Sequence, residues 1–146
     1  MGAVRLARLA HKASKLLGGR GIAQLIKDIN RIIYSCDIAY QVDIPASTSL
    51  PHQGLGVVMH PNTIIGDNCT IYQNTCFGAS HGDENIDGAP VIGSNVQIGV
   101  GAVILGPIHI GSNVSIGANS VVLDDVSDNT VVAGVPARIK KYKESM

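Results

Sequence analysis

From Ile65 onward an aliphatic or aromatic residue recurs every six positions. The hexads open at Ile65, Ile71 and Phe77, break off, and resume at Ile92, Ile98, Ile104, Ile110, Ile116 and Val122. Their second position is usually Gly and their fourth usually Asn or Gly. The fifth is small or aliphatic, as at Cys69, Thr75, Val96, Ala102, Val114 and Ser120. Earlier hexads open at Ile38, Ile44 and Leu50, and the frame slips by three residues before Met59. A six-residue period predicts short strands joined by corners, three to a turn, with the first positions stacked in a column inside a triangular prism. Asn and Gly suit the corners because they adopt positive φ at small cost. A sandwich of short strands is the competing all-β arrangement, and nothing in it would keep a six-residue clock.

Residues 1–35 follow another period. Apolar residues at three-to-four spacing across 4–10 and 22–33 predict two amphipathic helices, with Gly18-Gly19 between them. Their cationic faces read as solvated surfaces of helices packed on the prism end, not as a membrane contact. The chain thus divides into a helical segment (1–35), a β-helix (36–127) with a loop at 79–91, and a C-terminal segment (128–146). Residues 128–137 are expected to leave the prism and 139–146 to form a charged tail with helical character.

Composition adds two exclusions. With 146 residues, 45% hydrophobic and 15% charged, the chain is a single globular domain, and its 17 Gly, single Phe and absent Trp suit thin repetitive β-structure. Residues 1–31 carry seven Lys and Arg against Asp28 alone, while residues 32–137 hold nine acids and no Lys or Arg. A body without cations is no nucleic-acid surface. The other four cations, Arg138, Lys140, Lys141 and Lys143, crowd the end. Three cysteines without metal spacing read as reduced thiols in a cytoplasm, and no apolar stretch reaches the length of a membrane span.

Four stretches carry a resemblance to bacterial serine acetyltransferases, members of the hexapeptide-repeat acyltransferase superfamily. They are the segment from Arg5-Leu6-Ala7 to Gly19, Leu50-Pro51-His52 with Gly56-Val57-Val58, Ile71-Tyr72-Gln73, and Ala133-Gly134-Val135-Pro136-Ala137-Arg138. The resemblance implies a left-handed parallel β-helix, a homotrimer without the long helical domain of full-length relatives, and transfer of acetyl from acetyl-CoA to a hydroxyl. With serine as acceptor this is a step of cysteine biosynthesis. A hydroxyl does not ionise near neutrality, so a histidine, with an ordinary pKa of about 6.5, must take its proton, and a carboxylate must hold that histidine. The family's base maps onto His52. Asp43 matches the family's Val-Asp-Ile by letters, whereas Asp37, fifteen residues before His52, matches its spacing, and Asp37 is taken as the orienting group.

His60 and His81 are expected to line the substrate site. The resemblance places the pantetheine arm near Ala79, Ser80, Gly101, Ala102 and Ala118, with Arg138, Lys140 and Lys141 toward the nucleotide phosphates, and it requires no metal. Where the family has an Arg-His pair before the Pro of the loop, this chain has Gly88 and Ala89 before Pro90. That substitution leaves a sugar of surface polysaccharide open as the acceptor. Two readings from other classes stand beside these. A three-histidine zinc site needs a His pair with a four-residue gap, but His52 and His60 are eight apart. A non-catalytic trimeric module would bind no CoA.

Overall fold

The computed structural model describes residues 2–79 and 88–144. Two helices, α1 (Ala3–Ser14) and α2 (Gly19–Tyr34), precede strands of two to five residues that wind around three faces of a prism. The first face stacks Asp37–Ile38, Val58–Met59, Cys76–Gly78, Val103–Leu105 and Val121–Val122. The second stacks Thr70–Ile71, Gln97–Ile98, Ser115–Ile116, Thr130–Ala133 and Arg138–Tyr142, and the third Ile64–Ile65, Val91–Ile92 and His109–Ile110. All pairings are parallel except the last on the second face.

The register measures each coil. Val103 pairs with Val121, Gln97 with Ser115 and Val91 with His109, each eighteen residues on and so three hexads per turn. Two coils are longer. Asp37 pairs with Val58, twenty-one residues on, because a 3₁₀ turn at Pro51–Gly54 adds three residues. Cys76 pairs with Val103, twenty-seven on, so this coil holds nine residues more than the regular eighteen.

The inward positions are the hexad starts. Ile38, Met59, Phe77, Ile104 and Val122 on the first face are at most 2% exposed, and Ile71, Ile98 and Ile116 line the second face equally deeply. Burying one such side chain is worth about 1.5–3 kcal/mol, so the column is the main source of cohesion. At the corners Asn68, Asn74, Asn95, Asn113, Asn119 and Asn129 all take φ between 54° and 60°. Asn113 also donates from Nδ2 to Asn129 Oδ1 at 2.8 Å, linking adjacent coils. Another corner has no room for side chains: a Cβ on Gly93 would lie 2.8 Å from the Gly111 carbonyl carbon.

Helix α1 closes the prism's first end. Its Ala3, Ala7, Ala10 and Ala13 are buried, Ala3 and Ala7 join the prism core, and Arg8 donates to the carbonyls of Ile44, Pro45 and Thr48. Helix α2 packs through Gly19, Ala23 and Asn30, whose Nδ2 donates to Ala3 O at 3.2 Å. Tyr34 is partly buried against the prism core, while Ile22, Leu25, Ile29, Ile32 and Ile33 of α2 are exposed. The C-terminal segment also differs from expectation. Thr130–Ala133 continues the second face, and residues 138–142 are a strand rather than a helix, drawn to its open edge.

Cys36 lies under this first coil. Burial, with the negative Asp37 adding to it, pushes its thiol from 9.0 up to about 11. A folded pKa above the unfolded one means that this stability is complete below about pH 9 and is lost as pH rises toward 11. Unfolding free energy should therefore fall across that window, and fall less steeply in Cys36→Ala. An unchanged slope in the variant would remove Cys36 as a cause.

Candidate active site

A cleft of ≈ 1420 Å³ runs along the outside of the first face. Its floor is built by outward positions one coil apart: His60 stands level with Gly78, Gly78 with Leu105, and Leu123 follows beyond them. A Cβ on Gly78 would press on Leu105 Cδ2 at 2.9 Å, so glycine keeps the wall beside the imidazole open. The floor is apolar, and the polar groups collect at the helical end, where Lys27 of α2 and Asp37 join His60. Beyond Leu123 the chain turns at Asp124, whose carboxylate lies 3.4 Å from Arg138.

His60 is half-buried, and its Nδ1 accepts the Asn62 backbone N–H at 3.2 Å, which makes Nδ1 the acceptor of the neutral ring. Asp37 holds Lys27 Nζ at 2.8 Å and Arg31 at 3.6 Å. Asp43 is mostly exposed, lies 3.8 Å from His11 Nε2, and shares a shallow pocket with Pro61 and Asn62, the residues that follow His60. Among the described residues neither carboxylate hydrogen-bonds the His60 ring.

In register the partner of Asp37 on the next coil is Val58, and His52 lies six residues before it on the 3₁₀ turn. His52 sits exposed in the 3₁₀ turn with φ 53°, at the corner between the second face, where Ser49 bridges Thr70, and the first face, which the chain re-enters at Val58. Fifteen residues would approach one full coil of eighteen, but this coil has twenty-one, so the neighbour of Asp37 is Val58 and not His52. Of the other expected residues, Ala79 lines the cleft. Gly101 and Ala102 form a corner of the same face, with Ala102 buried and Gly101 at φ 70°, while Ala118 is exposed at a later corner. Arg138, Lys140 and Lys141 are exposed on the last strand. Ser80 and His81 lie outside the described residues. Lys27, Leu105 and Leu123 were not anticipated. For the two leucines the signal was available, since they stand one residue after inward Ile104 and Val122, as His60 stands after Met59.

Residues 89–124 match the family model described as bacterial transferase hexapeptide (six repeats). WcaB of Escherichia coli K12, assigned to acetyl transfer in colanic acid biosynthesis, is 40% identical over 116 residues, covering 77% of this chain and 70% of its own. A serine acetyltransferase of Staphylococcus aureus is 41% identical over 136 residues, covering 91% of this chain and 61% of its own. The solved serine acetyltransferase of Brucella abortus in complex with coenzyme A superposes with a TM-score of 0.91 at 33% identity, over 99% of this chain and 56% of that one. The chain thus spans about half the length of the solved serine acetyltransferases it matches. With its repeats, its open cleft and this degree of identity, the chain belongs to the bacterial hexapeptide-repeat transferases, as a serine acetyltransferase-like member of that family.

Proposed function

We propose that this chain is an acetyl-CoA-dependent O-acetyltransferase of serine acetyltransferase type in which His60, rather than His52, is the general base. The observation that carries this is the placement of His60, the one imidazole lining the cleft among the described residues, beside Gly78 at the polar end of a long apolar groove. The acceptor oxygen attacks the thioester carbonyl, its proton passes to the unprotonated Nδ1 of His60 in place of the Asn62 N–H, the C–S bond breaks, and the same proton goes on to the departing thiolate. The apolar floor over Gly78, Leu105 and Leu123 suits a pantetheine arm, and Arg138, 3.4 Å from the Asp124 carboxylate just past Leu123, suits a phosphate. The relative solved with coenzyme A supports that co-substrate. We read the coil as left-handed and the assembly as a homotrimer, with neighbouring prisms completing the groove, as in hexapeptide-repeat enzymes generally.

Asp37, bound to two cations, belongs to the acceptor wall of the cleft. Asp43, next to the segment after His60 and paired only with His11 among the described residues, is the less heavily paired carboxylate and is assigned to hold the ring. Asp43→Asn should accordingly lower turnover more than Asp37→Asn. The opposite order would return the orienting role to Asp37.

A second acceptor class, a sugar, rests on two observations. WcaB matches over a larger share of its own length than the serine acetyltransferases do. Position 88 also offers no space for the family's arginine, because a Cβ on Gly88 would lie 2.3 Å from Pro107 Cβ. Thiol release from acetyl-CoA, followed with a chromogenic disulfide reagent, decides between them. Release with L-serine assigns the serine reaction, release only with a sugar acceptor assigns surface polysaccharide, and release with neither, together with no CoA binding, would sink the enzyme reading.

A further inference from the structure

We infer that the outward face of α2, with the turn before it, seats the protein on the surface of an anionic lipid bilayer. Ile22, Leu25, Ile29, Ile32 and Ile33 fall on one stripe of this helix, and all five are exposed, Ile32 at 82%. Leu16 and Leu17 extend the apolar surface at the turn, where Leu17 is fully exposed. Sixteen residues make a helix about 24 Å long. No described helix is long and apolar enough to cross a membrane, so a helix of this kind lies in the plane of the interface.

The charges select the partner. Arg5, Lys12, Lys15 and Arg20 are exposed and form no ion pair among the described residues, and the only acid of residues 1–31, Asp28, is hydrogen-bonded by Gln24. Residues 32–137 carry nine acids and no Lys or Arg, so an anionic surface attracts the helical hairpin and repels the prism. Lys15 and Arg20 bracket the exposed Leu16-Leu17 turn, and apolar residues beside unpaired cations match lipid acyl chains beneath anionic headgroups. None of this depends on acetyl transfer, and acetyltransferase activity serves below only as an independent check.

The test is flotation of the full chain with phosphatidylcholine vesicles, with and without phosphatidylglycerol. At least tenfold more protein should float with the anionic vesicles, and high salt should reduce that fraction. Leu25→Gln with Ile32→Gln should abolish flotation while leaving helicity and thiol release unchanged, since both side chains are already exposed. Lys15→Glu with Arg20→Glu should weaken it on anionic vesicles only. Equal, negligible flotation on both vesicle types would overturn the inference. So would light scattering that shows the Leu25→Gln, Ile32→Gln protein dissociating from an assembly, which would assign the stripe to contact between copies.

Discussion

His60→Ala should lower acetyl transfer about 10²–10⁴-fold, the range for loss of a general base, while leaving CoA affinity and the unfolding midpoint near those of the parent protein. The imidazole follows the strand Val58–Met59 and is only half-buried, so its removal costs the Asn62 N–H hydrogen bond but opens no cavity in the core. The comparison variant is His52→Asn rather than His52→Ala. His52 has φ 53°, and asparagine tolerates that conformation, so the change tests chemistry without adding backbone strain. His52→Asn should keep nearly full turnover. The reverse pattern, with activity lost on changing His52 and kept on changing His60, would place the base on the 3₁₀ turn and empty the cleft of its assigned role.

Ile98→Ala should cost about 2–5 kcal/mol of unfolding free energy, the cost of truncating a buried isoleucine in a core that relaxes only in part. Ile98 is fully buried and lies between Ile71 and Ile116 on successive coils of the second face. Two-residue strands offer no slack: the backbone is pinned above and below by interstrand hydrogen bonds, so the cavity stays open. Gln97, one residue earlier and exposed, supplies the control, and Gln97→Ala should change stability by no more than about 0.5 kcal/mol. Denaturant unfolding of both variants checks this. Equal losses would mean that in–out alternation does not govern cohesion here.

The same alternation explains what could be read without coordinates. A six-residue clock names the inward residue of every hexad directly, and Asn at the fourth position names the corner, because both follow from local geometry. Pairing across coils depends on how many residues lie between strands, and there a fixed coil length misleads. Leu50 to Met59 already shows the extra three residues in the sequence. Added to the coil, they move the neighbour of Asp37 to Val58 and bring His60, two residues later, onto the cleft wall. The direction of the apolar face of α2 was not legible, since periodicity shows that a face exists but not what it meets. Residues 138–142 gave no local sign of a strand either, because their partner, Thr130–Ala133, is supplied by the fold.

That final strand bears on how the molecule ends. A stack of parallel coils exposes unpaired backbone at its last turn, onto which another stack could add in register and grow into a fibre. Here Arg138–Tyr142 runs against the direction of the sheet and carries three cations over five exposed residues. Residues 134–137 meanwhile occupy the first-face edge, where Val121 N–H donates to Gly134 O and Ala137 N–H to Val121 O. With α1 across the opposite end, the growth direction of the prism is blocked at both termini, and a repeat that is open-ended by geometry becomes a particle of fixed length.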